Sequence, residues 1–295
     1  MENTPFKTVA ILGFGDIGQR VARLWLAQGT PVYGLARSTA SQQLMSSLGV
    51  NPIQADLDDA SVTLDIPLDD ALLYWFIPPP SSGTTDPRMQ SLLRMLSHQA
   101  RPRRIVAIST SGIYGDHQGG LVSEETPPNP QADRARRRLD METQLRQWGE
   151  RHQVPVIILR VGGIYGPGRL PLQRIRDAVP VLKEALAPKT NRIHADDLAD
   201  VGVAAATKPL ASRIYNVSDG QDSNMTEYFF TLADFFDLPR PPEVDWAEAE
   251  KTISKGMLSY LRESRRLDTT RMQQELAVQL RYPDLLDGLK AMAEE

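Results

Sequence analysis

Residues 8–18 read Thr8-Val9-Ala10-Ile11-Leu12-Gly13-Phe14-Gly15-Asp16-Ile17-Gly18, a short apolar run that enters a glycine turn and opens onto a helical pattern. Ile17, Val21 and Leu24 recur at i, i+4 and i+7, which gives the following helix one apolar face. Strand, glycine turn and helix start stand in the order that a dinucleotide site requires. Gly13 permits the tight turn, Gly15 lets the backbone approach a pyrophosphate, and Gly18 lets the helix pack closely on its strand. The helix N-terminus aims unpaired N–H groups at the phosphates. Gly13, Gly15, Asp16, Ile17 and Gly18 are therefore candidate cofactor-binding residues. A glycine-rich turn without a ligand is the plainer alternative, and the helical context weighs against it.

Moving outward, Pro31-Val32-Tyr33-Gly34-Leu35-Ala36 reads as the second strand, and Arg37-Ser38 follows it. An acidic residue at that place accepts hydrogen bonds from a ribose 2'-hydroxyl and repels a 2'-phosphate, whereas arginine does the reverse. Arg37 and Ser38 thus favour NADP, with NAD as the alternative. The competing reading of Arg37 is a solvated side chain on an ordinary turn.

Further apolar runs lie at 52–55, 72–77, 105–108 and 156–161, with helical patterns at 18–26, 39–48, 87–96 and 132–148. The runs are apolar at consecutive positions, as in strands covered on both faces. Strands alternating with helices predict an α/β fold, a doubly wound parallel Rossmann sheet with a smaller C-terminal substrate-binding region. Residues 1–170 form the expected NAD(P)-binding part and 171–295 the smaller region. A stretch of about 190–218, containing the apolar segment 213–217, is expected to return to the main sheet.

Composition removes several function classes. The chain has 295 residues, 41% hydrophobic and 24% charged, with a formal net charge of -4 and no cysteine. That charge gives no reason to expect nucleic acid, and the basic clusters at 101–104 and 134–138 lack interleaved aromatic residues. Without cysteine there is no disulfide, thiolate zinc site or cysteine nucleophile. The N-terminus Met1-Glu2-Asn3-Thr4-Pro5-Phe6-Lys7 has no basic region followed by a long apolar core, and the run 71–77 ends at Pro78. No membrane segment is expected, and the cytoplasm is the expected location. His194 beside Asp196 and Asp197 invites a metal or acid/base reading; the simpler one makes either aspartate the cap of a helix through 201–206. With 4 histidines and no ligand spacing, no metal site is expected.

Several motifs then stand in a fixed order. Asp56-Leu57 follows the third strand, Ser109-Thr110-Ser111-Gly112-Ile113-Tyr114-Gly115 the fifth, and Glu125-Thr126-Pro127 comes next. Leu159-Arg160 leads to Ile164-Tyr165-Gly166-Pro167-Gly168, and Ile193-His194-Ala195-Asp196-Asp197-Leu198 closes the set. In these motifs, from Thr8 to about Tyr282, the chain resembles the extended and atypical short-chain dehydrogenase/reductase superfamily, in its NAD(P)-dependent epimerase/dehydratase branch. The resemblance implies that Asp56 and Leu57 contact the adenine and that Pro78 lies where the chain passes the ribose and pyrophosphate. It implies further that Thr110 hydrogen-bonds the reacting oxygen. Asp56 capping a turn and Thr110 satisfying a strand-end carbonyl are the structural alternatives.

The likeness fails at the chemistry. The family's general acid/base tyrosine and the lysine four residues later correspond here to Arg134 and Arg138, and none of the 8 tyrosines is followed by lysine at the fourth position. Arginine cannot exchange a proton at neutral pH, so Arg134 is no acid/base, while Arg138 can still hold a ribose or phosphate. Tyr114, on the loop that carries Thr110, is the candidate replacement; a scaffold role is its alternative. Two functions follow: an NAD(P)-dependent oxidoreductase or epimerase/dehydratase-like enzyme acting on an unknown small molecule, or a non-catalytic NAD(P)-binding sensor. Segments 171–189 and beyond 219 are expected to line the substrate pocket. A monomer or homodimer is expected, and like charges at 134–138 disfavour pairing through that helix.

Overall fold

The computed structural model describes residues 6–59, 62–63, 65–97, 101–208 and 211–294. Residues 1–5 of the N-terminal stretch read above lie outside the described residues.

The apolar runs become β1 (Thr8–Leu12), β2 (Val32–Ala36), β3 (Asn51–Gln54), β4 (Ala71–Trp75), β5 (Arg104–Thr110), the short β6 (Leu121–Val122) and β7 (Val156–Val161). With the strand Arg213–Val217, all but β6 form one seven-stranded sheet. Its order is Arg213–Val217, β7, β5, β4, β1, β2, β3, and every pairing is parallel. The expected return of 213–217 to the main sheet is thus met at its edge, with Ile214 opposite Ile158. The order reverses between β1 and β4, so the crevice for a ligand opens at the carboxyl ends of those two strands.

Helices cover both faces of the sheet. On one face, α1 (Asp16–Ala27), α2 (Thr39–Ser47) and the helix Ala195–Thr207 share a core with β1, β7 and Arg213–Val217. On the other, α3 (Pro87–Leu96) and α4 (Asp133–His152) cover Leu73, Ile105 and Ile158. Local sequence sets the helix starts. Asp86 caps α3 with Pro87 at its first position, and the Ser38 hydroxyl accepts from the Ser41 N–H to begin α2. Among the boundaries that differ from those read in the sequence, two have a visible local cause. The strand at 72–77 stops at Trp75, because Pro78, Pro79 and Pro80 take the chain out of the ladder. The helix at 132–148 runs on to His152, where Gln153 in the left-handed region closes it.

Residues beyond 170 build two smaller cores, one around Ile175, Phe229 and Leu232 and one around Ile253, Leu258 and Leu261. The chain then comes back. Arg266–Leu267 pairs with β6, and the wide turn Met272–Leu276 places Met272 and Leu276 in the main core. Among the described residues no helix is long and apolar enough to cross a membrane.

Candidate functional site

The crevice at the sheet's reversal is a groove of about 860 Å³. Its floor is the turn after β1, and each glycine there answers to a different contact. Gly13 has φ +108, and a Cβ on it would meet the Phe76 carbonyl carbon at 2.5 Å. A Cβ on Gly18 would meet the Gly13 oxygen at 2.5 Å, so the helix can lie on the turn only without one. At Gly15 a Cβ would meet nothing within 4 Å, because that position faces the groove itself. No side chain caps α1, so its first N–H groups are left to the groove. A cradle that a side chain would fill, over uncapped N–H groups, fits a pyrophosphate.

Every residue expected at the cofactor lines this groove. Gly13, Gly15, Asp16, Ile17 and Gly18 form one end, Arg37 and Ser38 follow β2, and Asp56, Leu57, Pro78 and Arg138 complete the walls. The Asp16 carboxylate accepts from Arg20 Nε at 2.9 Å and from Arg169 Nε at 2.6 Å. Burial pulls its pKa upward, and those two hydrogen bonds outweigh the burial and hold it below the usual range. Ser38 serves α2 as its cap, and Asp56 accepts the Asp58 N–H at 3.0 Å. Sequence reasoning missed Arg88, whose Nε and Nη2 each reach Asp58 at 2.6 Å, and the apolar wall made by Leu44 and Met45. Arg37 lies 3.8 Å from the same aspartate, with its side chain 66% exposed, and so keeps most of its donors for a ligand.

A second cavity of about 460 Å³ adjoins the first, and Arg138, Ile164 and Arg169 line both. Thr110, at the end of β5, stands in its wall and accepts the Gly112 N–H at 3.2 Å. Arg134 and Arg138 project into it from successive turns of α4. Arg134 lies 3.6 Å above the Tyr260 ring and donates to the Ser259 hydroxyl at 2.6 Å. Arg138 donates to the Ile77 carbonyl at 3.0 Å; burial pushes its guanidinium down to about 10, which leaves it a cation at neutral pH. From the segments expected to line the pocket come Pro188 and Lys189, then Met225, Tyr260, Glu263 and Arg265. Thr190, Asn191 and Arg192 were missed.

Two readings need correction. Tyr114 does not face the cavity: it is fully buried, its hydroxyl donates to Asn216 Oδ1 at 2.7 Å and accepts from Arg160 Nη1 at 3.0 Å. Burial pushes its phenol up, and a phenol held between Asn216 and Arg160 in the interior cannot reach a substrate oxygen. The cap of the helix Ala195–Thr207 is His194, whose Nδ1 accepts the Asp196 N–H at 3.2 Å. Asp197 instead accepts the N–H groups of Arg281 and Tyr282, and Asp196 pairs with Arg20. His194 packs between Tyr165 and Tyr282 and lines neither cavity.

A parallel sheet with a glycine turn at its reversal and a second cavity beyond β5 defines a doubly wound Rossmann-type fold. The model of the NAD dependent epimerase/dehydratase family matches residues 85–218. Among curated relatives, Protein YeeZ of Escherichia coli K12 is 26% identical over 95% of this chain and 98% of its own. Among solved structures, a functionally unknown conserved protein from Silicibacter pomeroyi superposes with a TM-score of 0.82 at 28% identity, over 98% of each chain. The UDP-glucuronic acid 4-epimerase from Bacillus cereus, solved in complex with NAD, shares the fold with a TM-score of 0.75 at 18% identity, over 97% of each chain.

Proposed function

We propose that this chain binds NADP(H) along the groove and uses it on a small molecule in the adjoining cavity, as an oxidoreductase or an epimerase/dehydratase-like enzyme of the cytoplasm. The observation that carries this reading is the continuity of the two spaces. Because Arg138, Ile164 and Arg169 line both, a dinucleotide laid on the glycine turn has its far end at the mouth of the second cavity. When bound, the nicotinamide supplies a hydride donor or acceptor.

The chain's own residues divide the remaining work. The first N–H groups of α1 hold phosphate, and Leu44, Met45 and Leu57 offer an apolar wall to a flat base. Arg37 favours a 2'-phosphate. Arg138 supplies charge and hydrogen bonds rather than a proton. Thr110 presents a hydroxyl to the reacting oxygen, and Tyr260 brings a phenol to the cavity wall. A second reading, a sensor that holds the dinucleotide without turning it over, draws on Arg134 and Arg138 at the places of the family's tyrosine and lysine.

Calorimetric titration tests the cofactor. NADPH is expected to bind about 10-fold more tightly than NADH, a difference of about 1.4 kcal/mol, and Arg37→Asp should reverse the order. Equal affinities in the parent protein would sink the NADP preference. NADPH oxidation against a panel of carbonyl compounds then separates the readings. Turnover supports the enzyme; tight binding with no turnover of any compound supports the sensor.

A further inference from the structure

Adding a hydride to a carbonyl group leaves an oxygen that must take a proton, and the wall of the second cavity holds few groups able to give one. Among its described residues, Thr110, Ser111 and Thr190 carry aliphatic hydroxyls, which keep their protons at neutral pH. Arginine cannot exchange a proton there either. The Lys189 ammonium is engaged by Asp222 at 2.7 Å, and Glu263 faces Arg265 at 3.0 Å as an acceptor. Tyr260 remains, and a tyrosine phenol can serve as a general acid.

Its setting is unlike that of the other tyrosines. Tyr74, Tyr114, Tyr165 and Tyr215 are fully buried with their hydroxyls hydrogen-bonded, and Tyr228 is buried beneath Arg192. Tyr33 and Tyr282 line neither cavity. Tyr260, on the helix Lys255–Leu261, is 51% exposed and lines the second cavity. What holds so open a ring is Arg134. Its guanidinium lies 3.6 Å from the ring centre, its Nη1 donates to the Ser259 hydroxyl at 2.6 Å, and that hydroxyl donates to the Gly256 carbonyl at 2.7 Å. A cation–π contact and a hydrogen bond to the preceding residue thus join the first turn of α4 to the last turn of Lys255–Leu261.

The same part of α4 meets the rest of the site. Arg138, one turn on and about 6 Å along the axis, stands where the cavity joins the groove. Gly112, in the turn after Thr110, packs on the first turn of α4: a Cβ there would lie 3.5 Å from Thr110 Oγ1 and 3.7 Å from the Ala135 Cβ. The junction, Thr110 and Tyr260 therefore gather around residues 134–138.

We propose that Tyr260, brought in from the C-terminal region, is the proton donor of the reaction and that Arg134 is its positioning residue. The assignment rests on the dinucleotide reading above. The carbonyl carbon gains a hydride from the reduced nicotinamide, which is thereby oxidised, and the π pair of the carbonyl moves onto oxygen. That oxygen takes the proton of Tyr260 Oη, and the product leaves as an alcohol. Water returns a proton to the phenolate, because half of the residue is open to solvent. Thr110, which accepts the Gly112 N–H, keeps its own hydroxyl proton to donate to the same oxygen.

Two measurements on the full chain test this. In the first, tetranitromethane nitrates accessible tyrosines and peptide mass mapping reads each position. NADP+ at about 100 times its Kd should slow nitration of Tyr260 by about 10-fold or more, with Tyr33 and Tyr282 as unprotected references. Nitration of Tyr260 that bound NADP+ does not slow would put the phenol away from the dinucleotide's far end and overturn the inference. The second follows NADPH oxidation with methylglyoxal, 4-nitrobenzaldehyde and cyclohexanone. Tyr260→Phe, which keeps the ring on Arg134, should melt as the parent does, bind NADPH equally and lose about 100-fold or more in kcat, as for loss of a general acid. Arg134→Met should also lower kcat, and Arg134→Lys, which keeps a cation for the ring, should recover part of it. Turnover by Tyr260→Phe at the parent's rate overturns the inference and leaves the proposed function standing. No turnover of any of the three compounds by the parent defeats the enzyme reading, and the inference falls with it.

Discussion

The Gly15→Val protein is expected to fold as its parent does and to lose NADPH affinity by about 100-fold or more, roughly 2.7 kcal/mol. Both halves of that expectation come from one measurement of space. A Cβ at Gly15 meets no atom within 4 Å, so the substitution asks nothing of the packed interior. The added side chain stands where the backbone would otherwise meet a pyrophosphate. Gly13 and Gly18 cannot make this test, since side chains there would strike Phe76 and the Gly13 carbonyl and disturb the turn itself. Calorimetry with NADPH and a thermal melt decide the matter. Normal NADPH affinity with an unchanged melt would place the phosphates elsewhere.

Arg160→Leu is expected to cost about 3–5 kcal/mol of stability, the range for stranding one member of a buried ion pair. Arg160 and Glu142 meet at 2.8 Å with their side chains 3% and 2% exposed, so a lone Glu142 carboxylate would have no water to turn to. Replacing both residues with leucine should recover much of the loss. Tyr114→Phe, which removes a hydroxyl bonded to Arg160 and Asn216, should cost only about 1–3 kcal/mol and leave NADPH binding unchanged. Denaturant titration of these variants measures all three. An Arg160→Leu midpoint indistinguishable from the parent's would mean that the pair contributes nothing to the fold.

The lining of the groove at the sheet's reversal could be read from the sequence because its determinants are local. The turn at 13–18, the dipeptide Arg37-Ser38 and the dipeptide Asp56-Leu57 each follow a strand directly, and a strand end is a fixed place in an α/β sheet. The lining of the second cavity could not. Arg134, Arg192, Tyr260 and Arg265 are far apart in the chain and meet only when α4, the strand Arg192–His194 and the last third of the chain fold against one another. Tyr114 was misjudged for a related reason: spacing located its backbone beside Thr110, but the 3-10 turn Ser111–Tyr114 directs the phenol inward. A signal for that network was visible, since Arg160 sits inside the otherwise apolar run Val156–Val161 and a buried arginine asks for a carboxylate.

The return of the last third of the chain has a consequence for how the molecule is made. Arg213–Val217 supplies the sheet's edge, Met272 and Leu276 fill part of its main core, and the Asn216 side chain donates to the Asp268 carbonyl. The half that carries β1 to β7, although it emerges first from the ribosome, therefore stays incomplete while translation proceeds at about 5–20 residues per second. Until residue 217 is free of the exit tunnel, β7 lacks its partner strand, and until residue 276 is free the core beside it lacks Met272 and Leu276, so a chaperone that shields those apolar surfaces has its task set by the order of synthesis.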